Sequence, residues 1–195
     1  MAKHLITLLF LFTGSTLLAQ TNQVSQPTMY TPPAQNMVTE TKTDYNAIGA
    51  PMPPFISIMQ ETVAQPNADT KYNYTLLTDK QVKNKANLFV MLFSPVCDHC
   101  EDQAMLIEKS LNLFKKSKIV LMCGKQYRQY LNNFLLITHK KDYPQMNVGV
   151  DSTDFMKKTM LYTQLPQINI YDHDRKLLKI FSGGVPIDSL KQYIE

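Results

Sequence analysis

The apolar residues of this chain fall into short blocks that predict a series of strands. Residues 86–93 form a near-continuous apolar run, as a central strand covered on both faces requires. Residues 118–123 form a second run of the same kind. Four further segments have the composition or spacing of strands: residues 72–77, 147–150, 167–171 and 176–181.

Helices are predicted between these strands. Apolar residues recur at helical spacing across residues 98–116, so one face of this helix is expected to pack on the sheet. A second helix is marked by apolar residues from Tyr127 onwards. The polar residues 151–154 have the character of a cap for a helix over residues 155–162. Pro186 opens a last helix, at a position where its missing N–H costs nothing.

The first quarter of the chain has a different pattern. Residues 1–19 carry Lys3 before a short apolar run and end at Ala19, which is the pattern of a secretory signal peptide. Leu17 fits the small-residue rule at the cleavage site poorly, so an uncleaved N-terminal anchor is the alternative. Residues 20–47 are rich in Gln, Thr, Asn and Pro and predict a polar disordered leader. The folded domain is therefore expected over residues 48–195.

Composition and charge narrow the class of protein. The 44% hydrophobic content is ordinary for a soluble globular domain, and the formal net charge is only +4. The lysine runs at 115–118, 140–141 and 157–158 lie at predicted helix ends or exposed faces, without interleaved aromatic residues. A nucleic-acid partner is therefore not expected.

The candidate chemistry lies in the motif Cys97-Asp98-His99-Cys100, which follows a Ser-Pro break and opens the 98–116 helix. Two cysteines at this spacing on the first turn of a helix lie close enough to form a disulfide with little backbone movement. The unpaired N–H groups and the positive end of the helix dipole would stabilise a thiolate at Cys97. Cys97 is therefore the expected nucleophile and Cys100 the expected resolving thiol.

The order of these parts resembles the thioredoxin superfamily, and within it the periplasmic redoxins of the TlpA/ResA kind. The resemblance covers residues 48–195 and implies an α/β thioredoxin-like fold, with a central mixed β-sheet flanked by helices. It also implies a cis peptide bond between Leu165 and Pro166, with Pro166 facing the two cysteines. The backbone beside this bond would then form the groove that holds an extended substrate segment.

Several positions depart from the pattern of that family. The buried acid that assists proton transfer in thioredoxin corresponds to Met91, a helix proline to Met105, and a glutamate of some relatives to Gln103. His99 resembles the histidine of strongly oxidising members, which favours the reduced form. The carboxylate of Asp98 has the opposite effect, because it disfavours a second negative charge beside it. Asp98 and His99 are therefore candidates for tuning the redox potential of the cysteine pair. The alternative is that both are simply exposed residues of a turn.

Other uses of a Cys-x-x-Cys motif have less support. Zinc normally needs four ligands, and no second half-site with ligand spacing is found in the sequence. Copper-carrying relatives have three residues between the cysteines, and the peroxidase signature would require a proline at Val90. The third cysteine, Cys123, ends a predicted strand and is interpreted as a buried residue without a catalytic role. No metal or other cofactor is therefore expected.

Together these features predict a periplasmic or secreted thiol:disulfide oxidoreductase. Its partners would be cysteine-containing exported proteins and a membrane or periplasmic redox partner, with no membrane span after signal cleavage. The alternative is a non-catalytic binding module or chaperone of the same fold that keeps its disulfide closed as a structural bond. A reversible redox couple would support the first function, and a disulfide resistant to dithiothreitol would support the second.

Overall fold

A single mixed sheet organises the residues that the computed structural model describes, which are 43–60, 74–152, 156, 159 and 162–195. Within these ranges the sheet has seven strands in the order β2-β1-β5-β4-β3-β6-β7. The strands are β1 Ile56–Gln60, β2 Tyr74–Thr78, β3 Leu88–Phe93, β4 Lys118–Gly124, β5 Met146–Asp151, β6 Gln167–Tyr171 and β7 Leu177–Ser182. The three central pairing partners β3, β4 and β5 run parallel. β1 and β6 flank them in antiparallel orientation, and β2 and β7 extend the sheet beyond these two strands.

Helices occupy connections between strands and also follow β7, as predicted. They are α1 Asp98–Lys109, a 3-10 helix Lys125–Tyr130, α2 Leu131–Ile137, a 3-10 helix Lys140–Asp142 and α3 Ile187–Lys191. The predicted α/β fold with a central mixed sheet is therefore confirmed. Met156 and Thr159 are helical, but the rest of the predicted 155–162 helix lies largely outside the described residues. So do the predicted signal peptide, residues 1–19, and most of the 20–47 leader.

In the described ranges, no helix is both long and apolar enough to cross a membrane.

The central strand β3 separates two hydrophobic cores. All six of its residues are buried, and successive side chains of a strand point to opposite faces. The odd-numbered residues pack with Ala104 and Ile107 of α1. The even-numbered residues pack on the other face, in a core that includes Met156. Because each fully buried large apolar side chain contributes about 1.5–3 kcal/mol, β3 is a major source of the stability of both cores.

Two features of the elements differ from the sequence prediction. The helix that begins at Asp98 ends at Lys109 and not at residue 116, with Ser110 as its C-cap. Leu111 and Phe114 are nevertheless buried, because the chain continues in turns that hold them against the same core. In addition, Ile56–Gln60 forms a strand that the sequence analysis did not predict, and it pairs with both β2 and β5.

Arg175, in the turn between β6 and β7, connects two parts of the fold. It has a left-handed backbone (φ 63°), and its side chain is buried. The guanidinium donates hydrogen bonds to the carbonyls of Ala86 and Val82, at 2.9 and 2.6 Å, and to Oδ1 of Asn84 at 2.8 Å. The segment that leads into β3 is thereby tied to the β6–β7 turn.

Candidate functional site

The loop between β3 and α1 places the first motif cysteine at the start of a helix. Cys97 is the N-cap residue of α1, with an extended backbone (φ −123°, ψ 111°) and no capping hydrogen bond from its side chain. Its carbonyl accepts hydrogen bonds from the backbone N–H groups of Cys100 at 2.9 Å and Glu101 at 3.1 Å. The predicted helix start is therefore confirmed, and the Cys97 sulfur lies near the positive end of the α1 dipole.

The two cysteines of the motif differ in depth. Cys97 is partly exposed and Cys100 is fully buried, and both are free thiols. Burial raises the pKa of Cys100 to about 12, assisted by a hydrogen bond with the Cys97 side chain and opposed by a backbone hydrogen bond with Ser94. One sulfur of the pair is therefore accessible, while the other is shielded and hydrogen-bonded to it.

The peptide bond between Leu165 and Pro166 is cis, as predicted. β6 begins at the next residue, and its pairing of Gln167 with Leu92 brings Pro166 to the end of β3 from which the motif loop leaves. The Pro166 carbonyl accepts a hydrogen bond from the Gly183 N–H at 2.8 Å, so this acceptor is used within the protein. Leu165 and Cys97 both pack against the core on the α1 side of the sheet. Whether these two residues border a substrate groove stays a prediction.

The positions that depart from the thioredoxin pattern have distinct environments. Met91 is an apolar residue of the buried core on the α1 side. Gln103 is also buried, and its Oε1 accepts a hydrogen bond from the Val185 N–H at 2.6 Å. In the sequence, Gln103 is only a departure from the family pattern, and this contact is not visible there because Val185 lies in the distant loop between β7 and α3.

The candidate tuning residues Asp98 and His99 are both exposed. Two more carboxylates follow in the first turns of α1, at Glu101 and Asp102. The pKa of Glu101 is raised, first by partial burial and then by the negative charges of Asp98 and Asp102. Negative charge is therefore concentrated beside the motif, although the effect of each residue on the cysteines stays a prediction.

The third cysteine is separate from the motif. Cys123 is fully buried near the end of β4, where it pairs with Phe93 and with Val150 of the neighbouring strands. Burial raises the pKa of the Cys123 thiol to about 12. Its interpretation as a buried strand residue is confirmed, and its lack of a catalytic role stays a prediction. Among the residues that the structure describes, no group of three or more His, Cys, Asp or Glu side chains could hold a metal ion.

The proteins found to be similar to this chain are similar in structure, at low sequence identity. No protein-family model matches the sequence, and no curated protein matches it either. The thioredoxin domain of a thiol-disulfide oxidoreductase from Bacteroides vulgatus is similar, with a TM-score of 0.57 at 16% identity over 75% of this chain and 94% of that domain. StoA from Bacillus subtilis gives 0.52 at 14% identity, covering 74% of this chain and 100% of StoA.

A further similar structure has a different activity in its name. The reduced 2-Cys peroxiredoxin of Plasmodium vivax gives a TM-score of 0.55 at 12% identity, over 74% of this chain and 92% of the peroxiredoxin. The chain therefore has the thioredoxin-like fold. Because oxidoreductases and peroxiredoxins share this fold, the fold alone does not determine the reaction, which depends on the residues of the site.

Proposed function

We propose that this protein is a thiol:disulfide oxidoreductase in which Cys97 exchanges disulfides with a partner and Cys100 resolves the intermediate. The observation that carries the proposal is the unequal depth of two thiols on one helical turn. Cys97 is partly exposed at the start of α1, whereas Cys100 is fully buried and hydrogen-bonded to it. A helix N-terminus stabilises a thiolate, so the accessible sulfur is also the one favoured as nucleophile.

In the reductive direction, the Cys97 thiolate attacks one sulfur of a partner disulfide. A mixed disulfide forms, and the second partner sulfur leaves as a thiolate. Cys100 then gives up its proton to that thiolate or to water and attacks the sulfur of Cys97. The partner departs with both sulfurs reduced, and two electrons have passed from the cysteine pair to it. The reverse sequence oxidises a dithiol partner.

The surroundings of the pair support roles for four more residues. Leu165 and Pro166 would border the groove in which an extended partner segment lies, since both are next to the β3 end of the motif loop. Asp98 and His99 would tune the redox potential from the exposed turn between the cysteines. Partners are proposed to be cysteine-containing exported proteins and a membrane or periplasmic redox protein. That part rests on the sequence of residues 1–19.

A redox titration tests the proposal. The full chain is equilibrated with thiol–disulfide buffers of defined potential, and its free thiols are counted by alkylation and mass spectrometry. We expect one reversible two-electron couple between about −270 and −120 mV, the range of known oxidoreductases. The couple should disappear in Cys97→Ala and Cys100→Ala and persist in Cys123→Ala, the matched control. A pair that stays oxidised below about −300 mV would instead be a structural disulfide and would refute the proposal.

A further inference from the structure

A cleft of about 290 Å³ begins at the motif residue His99. One wall is formed by α1 and the other by the loop between β7 and α3. The lining residues are His99, Asp102, Gln103, Leu106, Gly184, Val185 and Pro186. His99 stands between the two cysteines in the sequence, so this residue connects the cysteine motif with the cleft.

Gln103 carries an unused hydrogen-bond donor in this cleft. Its Oε1 accepts the Val185 N–H at 2.6 Å, and this contact fixes which way the side-chain amide is turned. Its Nε2 is buried and has no partner. In the described residues, the other buried side-chain nitrogen without a partner is Nε of Arg175, whose two terminal nitrogens each donate two hydrogen bonds. Since buried donors are nearly always paired, Nε2 of Gln103 points to an acceptor that arrives with a ligand.

The remaining groups indicate what that ligand is. Leu106, Val185 and Pro186 give the cleft apolar walls. Asp102 lines the cleft and gives it negative charge. This charge also acts on the neighbouring Glu101, whose pKa is raised mainly by burial and further by Asp98 and Asp102. Asp102 would repel an acidic side chain of a ligand, whereas an uncharged apolar side chain could be buried against the apolar walls of the cleft.

We propose that the cleft takes an apolar side chain of the partner segment next to the partner's reactive cysteine, and that Nε2 of Gln103 donates to a carbonyl oxygen of that segment. The inference rests on the proposed disulfide exchange and adds a sequence preference to it. An ionised glutamate at this position could still accept the Val185 N–H, but it has no donor to offer. Glutamine at position 103 therefore supplies a donor that a glutamate at the same position could not supply.

The test uses two peptides that differ only in the residue beside their single cysteine, which is Leu in one and Asp in the other. Each cysteine is linked to thionitrobenzoate, whose release reports attack by Cys97 of the reduced full chain. Every rate is divided by the same variant's rate with a small symmetrical disulfide. Gln103→Glu removes the donor but keeps the acceptor for Val185. Gln145→Glu, the same chemical change at an exposed residue before β5, is the matched control.

We expect the wild type and Gln145→Glu to favour the Leu peptide. Gln103→Glu should lower the normalised rate with the Leu peptide by about 3- to 10-fold, the effect of one hydrogen bond to a backbone carbonyl. A second measurement follows the side-chain amide of Gln103 by NMR, with unreactive peptides that carry serine in place of cysteine. This resonance should shift with the Leu peptide and not with the Asp peptide.

The outcomes separate the two proposals. Exchange without a peptide preference would overturn the cleft inference, as would a normalised rate with the Leu peptide that Gln103→Glu lowers no more than Gln145→Glu does, or an NMR signal that does not respond. If no exchange occurs with any disulfide but the Gln103 signal still shifts with the Leu peptide, the cleft stands as a binding site and the oxidoreductase proposal is wrong.

Discussion

The chemistry of single residues in the site depends on how deeply each sulfur lies. Burial is the largest cause of the raised Cys100 pKa, and the hydrogen bond with Cys97 comes second. When Cys97 is in a mixed disulfide, its thiol is gone but the burial of Cys100 remains. The position of the proton-accepting acid in thioredoxin is taken by Met91, an apolar core residue. Loss of the Cys100 proton should therefore limit the resolving step.

The rate at which Cys100 resolves the mixed disulfide should therefore depend on pH. Since burial keeps the pKa of Cys100 well above the neutral range, its thiolate fraction there rises about tenfold per pH unit, and the rate should follow. A mixed disulfide of Cys97 with thionitrobenzoate can be prepared at low pH and jumped to higher pH, where absorbance reports resolution. Cys100→Ala should show no intramolecular release. A rate that levels off below about pH 8 would mean that a nearby group takes the proton.

Glu108 in α1 is a second residue whose burial has a measurable effect. The residue is 4% exposed, and its Oε1 has no hydrogen-bond partner. Burial raises the pKa of Glu108 to about 7, while Lys140 opposes the shift and Asp142 adds to it. The folded state thus holds this proton more tightly than the unfolded state, in which the pKa is near 4.5. Folding stability should fall as the pH rises from 4.5 to 7 and stay lowered above 7.

Glu108→Gln should remove this loss of folding stability at higher pH. One titrating group changes the free energy of unfolding by at most about 1.4 kcal/mol per pH unit. The stability of the variant relative to wild type should therefore increase steadily between pH 5 and 7. Urea unfolding at several pH values measures the difference. Glu195→Gln, the same change at an exposed residue, serves as control. A difference between Glu108→Gln and wild type that does not vary with pH would show that Glu108 is not the group responsible.

At the level of elements, the β6–β7 turn acts on the segment that leads into β3. Arg175→Met would leave the carbonyls of Val82 and Ala86 without their donor in the interior. Because hydrogen bonds to charged groups contribute about 1.5–3 kcal/mol each, we expect a loss of about 3 kcal/mol in the free energy of unfolding. Lys176→Met, at the exposed neighbouring position, should change it by less than about 0.5 kcal/mol. Equal effects of the two substitutions in urea unfolding would contradict this role.

The elements were predicted well where the apolar pattern is continuous. Residues 86–93 and 118–123 correspond closely to β3 and β4, because strands covered on both faces leave an unbroken run. β6 shows the limit of such patterns, since the alternating polar residues Gln167 and Asn169 indicate a solvent-facing side. Both are buried, and Nε2 of Gln167 donates to Oδ1 of Asn169 at 2.9 Å. A polar side chain that is satisfied inside the protein cannot be distinguished locally from an exposed one.

For the molecule as a whole, the order of strands depends on pairings between distant residues. Ser57 pairs with Asp151, and Met91 pairs with Ile168. Periodicity reports only which face of an element is buried, so it could not supply these pairings, and the resemblance supplied the sheet. The same holds for the site. The cysteine motif and the cis bond before Pro166 were predicted, whereas the contact of Gln103 with the β7–α3 loop depends on tertiary packing.

The place of β6 in the sheet also determines when the cysteines become sheltered during synthesis. β3 and α1 leave the ribosome well before residues 167–171, yet β6 is the strand that completes one side of β3. Domains fold as units, so a nascent chain that still lacks β6 cannot enclose Cys100 as the finished domain does. Until then, both thiols are open to any oxidant that the emerging chain meets. The unequal depth of the two sulfurs is thus a property of the complete domain, which the chain acquires only once β6 is in place.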